Sequence, residues 1–197
     1  MDFSADDLLL IDLALREDVG SGDITTEYFV ADHEQASARV VAKERAIVAG
    51  VEVAAEVFRR VDPSLRLELV QQDGAVVTGG SAVLEIRGSA RSILTAERVA
   101  LNFLQRLSGI ATLTHEFVEA AGTSGAKILD TRNTTPGLRK FENAAVTPCG
   151  GWNPRTRPLR RVLVKQNHLM PARTPRGHPP HPPSPRSRAP RTRLRAH

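Results

Sequence analysis

The chain has 197 residues, 41% of them hydrophobic, which is enough apolar material for one medium domain or two small ones with a real core. Its formal charge of +5 is uneven: residues 171–197 hold seven arginines and no acid, while residues 1–170 carry 20 basic against 22 acidic side chains, so nucleic-acid binding by the folded part is not expected. The single cysteine, Cys149, excludes an internal disulfide and a multi-cysteine zinc site within one chain, and fits a reducing compartment.

The start, Met-Asp-Phe-Ser-Ala-Asp-Asp, has no basic region ahead of an apolar stretch and does not read as a signal peptide. The apolar run Leu8 to Ile11 stops at Asp12, far short of the roughly 20 residues that cross a bilayer; a cytoplasmic protein without a membrane partner is expected. Ser4 with Asp7 resembles a capping box, and Leu8, Ile11 and Leu15 follow at helical spacing. Gly20-Ser-Gly22-Asp23 ends this helix and leads into Ile24-Thr-Thr26. Ala36 to Val41 alternates like an antiparallel strand, Lys43-Glu-Arg45 forms a polar turn, and Ala46 to Gly50 returns as an apolar strand. Val51 to Val61 carries helical spacing through Val53, Val57 and Val61. Short strands then alternate with the turns Gln71 to Gly74 and Gly79-Gly80 up to a strand at Ala82 to Ile86. This rhythm resembles the small sandwich of carrier domains, but no lysine occupies the hairpin tip, so a structural role is favoured.

From Ile93 to Ala121 the pattern is helical, with Ala96, Val99, Ala100, Phe103, Leu104 and Leu107 on one apolar face and a break or joint expected at Ser108-Gly109. Arg98, beside Glu97 and one turn before Asn102, reads on spacing alone as a surface ion pair. A buried strand follows at Lys127 to Asp130, then a loop of hydroxyls and guanidinium, Thr131-Arg-Asn-Thr-Thr-Pro-Gly-Leu-Arg139, and a helix over Leu138 to Ala145. Thr135 is expected to cap that helix and Pro136 to take its first position. Free N–H groups at a helix start, with Arg132 and Arg139 as forked donors, suit phosphate or carboxylate; an ordinary capped loop with solvated arginines fits the same spacing. A further strand, Val162 to Val164, ends in Lys165-Gln-Asn-His168. Alternating units of this kind imply parallel strands with helices outside, and functional residues at the strand C-terminal ends. Arg132, Arg155 and Lys165 would face one mouth and favour a dianionic or phosphorylated ligand.

Residues 171–197 contain eight prolines and a single large aliphatic residue, Leu194. Such a segment cannot bury a core and is expected to be disordered. It reads either as a basic RNA-binding or interaction tail or as sequence from a slipped reading frame, an explanation that also covers Thr156-Arg-Pro-Leu-Arg-Arg161. The expected organisation is an α/β fold in three parts: an N-terminal α+β domain with a leading helix over 1–107, a partial α/β barrel over 108–170, and a Pro/Arg-rich disordered tail over 171–197. Two barrel-type strands cannot close a barrel, so the barrel is expected to be truncated.

Several of these segments together resemble successive signatures of the quinolinate phosphoribosyltransferase family. They are Asp130 to Arg139, Gly150-Gly-Trp-Asn-Pro-Arg155 and Val162 to His168, preceded by Glu17 to Thr26, Val48-Ala-Gly50, Thr95 to Asn102 and Leu107 to Ala111, in order over about residues 8 to 169. The resemblance implies an N-terminal α+β sandwich, a C-terminal α/β barrel, and a homodimer or higher oligomer whose active site lies between one chain's barrel and the other's N-terminal domain. It implies transfer of phosphoribosyl from phosphoribosyl pyrophosphate to quinolinate with decarboxylation, giving nicotinate mononucleotide, pyrophosphate and CO2 in NAD biosynthesis, with Mg accompanying the pyrophosphate substrate. It further implies that Arg98, Arg132 and Arg155 bind quinolinate carboxylates, flanked by Thr131 and Asn133, that Lys165 contacts substrate or phosphate, and that Lys43, or less favourably Arg45, reaches in from the partner chain. No catalytic nucleophile and no protein metal ligand is assigned.

Four positions depart from the family pattern. Asn133 and Asn143 stand where lysines are usual, Pro154 where a histidine precedes the arginine, and Gln166 where an aspartate is usual. The acidic residues that the family draws from later strands have no counterpart in residues 171–197. An inactive truncated family member and a basic-tailed RNA-binding protein are therefore the alternative readings.

Overall fold

The computed structural model describes residues 2–153 apart from Ser21 and Asp23. The expectations for Pro154, Arg155, the strand at 162–164, Lys165, Gln166 and the tail at 171–197 lie outside the described residues.

The first helix, α1 (Ala5–Val19), begins as the sequence predicts. The Asp7 N–H donates to Ser4 Oγ, and the Asp7 carboxylate accepts from the Ser4 N–H at 2.7 Å. This capping box satisfies two donors that a helix start otherwise leaves open. A short helix, α2 (Ile24–Phe29), follows.

Three strands then form an antiparallel sheet in the order β1 (Gln35–Val41), β5 (Ala82–Ser89), β3 (Arg66–Leu69). The register sets Ala38 and Leu67 on either side of Ile86, and Val40 and Leu69 on either side of Leu84. The period of two therefore turns one row of apolar side chains inward across all three strands. β2 (Ala46–Ile47) and β4 (Val76–Val77) pair separately as a two-stranded ribbon.

The inner face of the sheet shares one core with α3 (Val51–Val61) and the 32-residue α4 (Ala90–Ala121). α3 buries Val53, Val57 and Phe58, and α4 buries the expected stripe from Ala96 through Leu107. Burying an aliphatic or aromatic side chain of this size contributes about 1.5–3 kcal/mol, so these two stripes and β5 carry the main hydrophobic stabilisation.

Sequence and structure part at Ser108-Gly109, where the predicted break is absent and α4 runs unbroken. Gly109 costs helix propensity of only about 1 kcal/mol. The Ser108 and Thr112 hydroxyls offset it by accepting the Ala49 N–H at 3.1 Å and the Ile47 N–H at 2.9 Å. The long helix thus serves as a rail to which β2 and the chain leading into α3 are tied.

Beyond α4, a single turn of 3-10 helix (Gly122–Ser124) leads to an extended stretch in which Leu129 forms a parallel bridge with Trp152. The Trp152 N–H donates to Ile128 O at 2.8 Å and the Asp130 N–H to Trp152 O at 3.1 Å. Between these two short stretches lie the loop and the last described helix, α5 (Arg139–Val146).

Gly151 makes that return possible. A Cβ there would lie 2.4 Å from Val146 Cγ1 and 2.6 Å from Val146 O, so only glycine lets the chain pass the end of α5 and set Trp152 beside Ile128. No described helix is long and apolar enough to cross a membrane.

Candidate active site

The loop between Asp130 and α5 does not start its helix in the predicted way. Thr135-Pro-Gly-Leu138 is a β-turn, closed by the Leu138 N–H on Thr135 O at 3.1 Å, with Gly137 at φ 84°. Proline second and a left-handed glycine third is the arrangement a type II turn requires. The helix begins after this turn with Leu138 in the cap position and no side-chain cap. Thr135 therefore does not cap α5, and Pro136 is a turn residue rather than the first helical one.

Thr135 has a different task. Its hydroxyl accepts from Arg106 Nη2 of α4, and its N–H donates to the Glu142 carboxylate of α5 at 3.2 Å. Arg106 Nε donates to the other oxygen of Glu142 at 2.7 Å. One guanidinium, one carboxylate and one threonine thus join three separated pieces of chain.

Burial alone would raise the Glu142 pKa. The Arg106 guanidinium and the Thr135 hydrogen bonds outweigh it and hold the carboxyl below its ordinary range. The site's own anion therefore sits in the first turn of α5, where the helix dipole favours it.

The rest of the loop is tied in a series. The Asn133 N–H donates to Thr131 Oγ1 at 3.1 Å, the Thr134 N–H to Arg132 O at 3.1 Å, and Arg139 Nε to Thr134 Oγ1 at 3.1 Å. The Arg132 guanidinium makes no hydrogen bond or ion pair with another described residue and is exposed. An arginine held on a tied loop, with its fork open to solvent, suits a planar carboxylate.

The same N-terminal turn of α5 is fastened a second time by Lys140, whose ammonium bonds the buried Asp7 of α1. Burial pushes the Asp7 pKa up, but Lys140 and Ser4 outweigh it and leave it lowered. Phe141 stacks edge-on with Phe3 at 6.5 Å and with Phe103 at 5.8 Å.

Between α1 and α4 runs an open groove of about 600 Å³. Arg98, Asn102 and Arg106 line it at four-residue intervals on one helix face, opposite Leu13 and Asp18 of α1. Arg98 Nη1 pairs with Asp18 Oδ1 at 3.2 Å, with the arginine side chain 75% exposed. The surface ion pair read from spacing is thus present, with Asp18 rather than the adjacent Glu97 as partner.

Lys43 is elsewhere. It lies in the turn before Arg45, and Arg45 lines a small hollow with Thr112 and His115. Thr112 is 14 residues along α4 from Arg98, about 21 Å at the helical rise per residue. Neither Lys43 nor Arg45 lines the groove that holds Arg98. Thr131, Arg132 and Asn133 share the loop, while Arg155 and Lys165 lie outside the described residues.

Sequence reasoning missed Arg106, Glu142, Asp18 and Lys140. The signal for Arg106 was its four-residue spacing from Arg98 and Asn102. Nothing in the sequence announced Glu142 or the Asp7–Lys140 pair. Among the described residues no three His, Cys, Asp or Glu side chains gather as a metal site.

The described residues thus form a mixed α/β protein in which one loop and one groove collect guanidinium groups. Sequence profiles narrow this. The profile for the quinolinate phosphoribosyl transferase N-terminal domain matches residues 23–108, and that for its C-terminal domain matches residues 110–174. The chain is 41% identical over 158 residues to a probable nicotinate-nucleotide pyrophosphorylase (carboxylating) of Synechocystis, covering 80% of this chain and 53% of that protein. It is 44% identical over 161 residues to the chloroplastic enzyme of that name from Oryza sativa, covering 81% and 43%.

Among solved structures, NadC from Streptococcus pyogenes superimposes with a TM-score of 0.79 at 43% identity, over 87% of this chain and 61% of that one. The nicotinate-nucleotide pyrophosphorylase from Francisella tularensis gives 0.76 at 35% identity, over 85% and 61%. The chain belongs to the quinolinate phosphoribosyltransferase family, and spans about half the length of the curated relatives it matches.

Proposed function

We propose that this chain carries the quinolinate-binding part of an enzyme that joins quinolinate to phosphoribosyl pyrophosphate and decarboxylates the product, a pentosyl transfer in NAD biosynthesis. The observation that carries the reading is Arg132, held on a tied loop with its guanidinium open to solvent. Quinolinate presents two carboxylates, and Arg98, Arg132 and Arg155, with Lys165, are the cations assigned to them. Thr131 and Asn133 shape the loop around Arg132.

In the reaction the ring nitrogen bonds to the ribose carbon as pyrophosphate departs with its electron pair. The ring is then cationic, and it accepts the electron pair of the adjacent carbon–carboxylate bond as CO2 leaves. A proton added at that carbon completes nicotinate mononucleotide. Positioning and charge stabilisation suffice for these steps, and no enzyme nucleophile is needed. Magnesium belongs to this reading as the companion of the pyrophosphate substrate.

Homodimerisation is part of the same proposal. That Lys43 does not line the groove holding Arg98 supports delivery of Lys43 by a partner chain. A partial α/β barrel after α4 is supported by the parallel Leu129 and Trp152 bridge, and a cytoplasmic setting by the single cysteine.

The test is calorimetric titration of the chain with quinolinate. Arg132→Ala is expected to weaken binding about tenfold or more, the order of one charge-assisted contact; unchanged affinity overturns the assignment. Release of CO2 and pyrophosphate on adding phosphoribosyl pyrophosphate reports the full reaction.

A further inference from the structure

We infer that Arg106 is a positioning residue: with Glu142 it forms a brace that holds the Thr134-Thr135 end of the loop and so sets the direction in which Arg132 is presented. The inference deepens the quinolinate reading and rests on it for the ligand, but its structural half stands alone.

Three features carry it. First, Arg106 engages two groups of different elements: Nε meets Glu142 of α5 and Nη2 meets the Thr135 hydroxyl of the loop. Second, Glu142 is buried, and its second oxygen accepts the Thr135 N–H at 3.2 Å. Thr135 is therefore held through both its backbone and its side chain. Third, Arg132 lies three residues upstream, with its carbonyl bonded to the Thr134 N–H and the Thr134 hydroxyl bonded to Arg139. Few covalent bonds separate the braced residue from the presented one, and each intervening residue has a tie.

A guanidinium is suited to this task because its fork is planar and holds two directions at once. An ammonium offers charge without that fixed geometry. Arg106 also lines the groove that contains Arg98, so the brace couples the loop to the helix face on which another assigned carboxylate ligand stands. Arg106 needs no direct contact with substrate; it acts through Arg132.

The experiment compares Arg106→Met, Arg106→Lys and Glu142→Gln in the full chain, alone and combined with Arg132→Ala. Amide hydrogen exchange over residues 131–138 is read against the α3 amides, which report global folding. The expected result is at least tenfold faster exchange in the loop for Arg106→Met and Glu142→Gln, unchanged α3 protection, and a smaller acceleration for Arg106→Lys.

Quinolinate affinity should fall about tenfold in Arg106→Met, affinity for phosphoribosyl pyrophosphate should not change, and the quinolinate loss should vanish when Arg132 is already alanine. Unchanged loop exchange in both single variants overturns the brace. A quinolinate loss that persists in full on the Arg132→Ala background overturns positioning through Arg132. Failure of the unsubstituted chain to bind quinolinate overturns the substrate reading instead, while the exchange result still decides the brace.

Discussion

The sheet with α3 and α4 and the segment from residue 126 to 153 are held by different forces. The first region buries apolar stripes: Phe58, Val57, Leu84 and Ile86 are each 1% exposed or less. The second buries Phe141 and Ala145 in the same core and adds polar ties, from Arg106 to Glu142 and from Lys140 to Asp7 across elements and from Arg139 to Thr134 within the loop. Apolar burial is non-directional and tolerant of detail. Ion pairs and charge-assisted hydrogen bonds fix direction, which a loop presenting an arginine to a planar ligand requires. The scaffold is therefore the apolar region and the candidate site is the polar one.

Substitutions should separate the two. The largest effect is expected for Phe58→Ala, which empties a core site shared by α3 and the sheet; about 3–5 kcal/mol of stability should be lost. Urea unfolding would show it, and a midpoint within error of the parent would deny that the apolar region dominates. Gly151→Ala comes next. Its Cβ would strike the Val146 backbone, and the overpacking should cost about 1–3 kcal/mol. Because Trp152 is the only tryptophan, its fluorescence should change while the far-ultraviolet helix signal is kept.

Acid tests the ties themselves. Asp7 and Glu142 both have folded pKa values below their ordinary 3.8 and 4.5. A depressed carboxyl stabilises the fold fully above its unfolded value, and the contribution is lost as pH falls through the folded one. Trp152 fluorescence should thus report loosening of residues 126–153 below about pH 4, before the helix signal falls. Glu142→Gln should remove part of that acid step. Coincident transitions in the parent chain would mean that the two regions are held alike.

The smallest effect belongs to Asp18→Asn. It releases Arg98 from an exposed ion pair, so stability should change by less than about 1 kcal/mol. In a chain that binds quinolinate, the freed guanidinium should alter affinity more than stability, and a calorimetric titration beside a thermal melt would show whether it does.

Legibility in the sequence followed the same division. The capping box at Ser4 and Asp7, the helix Val51–Val61 and the strand from Ala82 were readable because each is signalled by residues within a few positions. Thr135 and Pro136 misled because the same residues that open a helix also build a β-turn, and Gly137 decides between the two. The break predicted at Ser108-Gly109 failed because the price of one helical glycine is small beside the packing of Leu107 and Ala111 and the hydroxyl ties to β2.

By itself the sequence determined the family and the element types of the apolar region. Local periodicity and ordered motifs are one-dimensional signals, and they survive without knowledge of what touches what. Only the tertiary structure decided that Arg98 meets Asp18, that Arg45 lies beside Thr112 of α4, and that Arg106, Thr135 and Glu142 form one tie. Those contacts join residues separated by up to 80 positions. Their specificity comes from distance and direction in space, which charge and spacing along the chain do not encode.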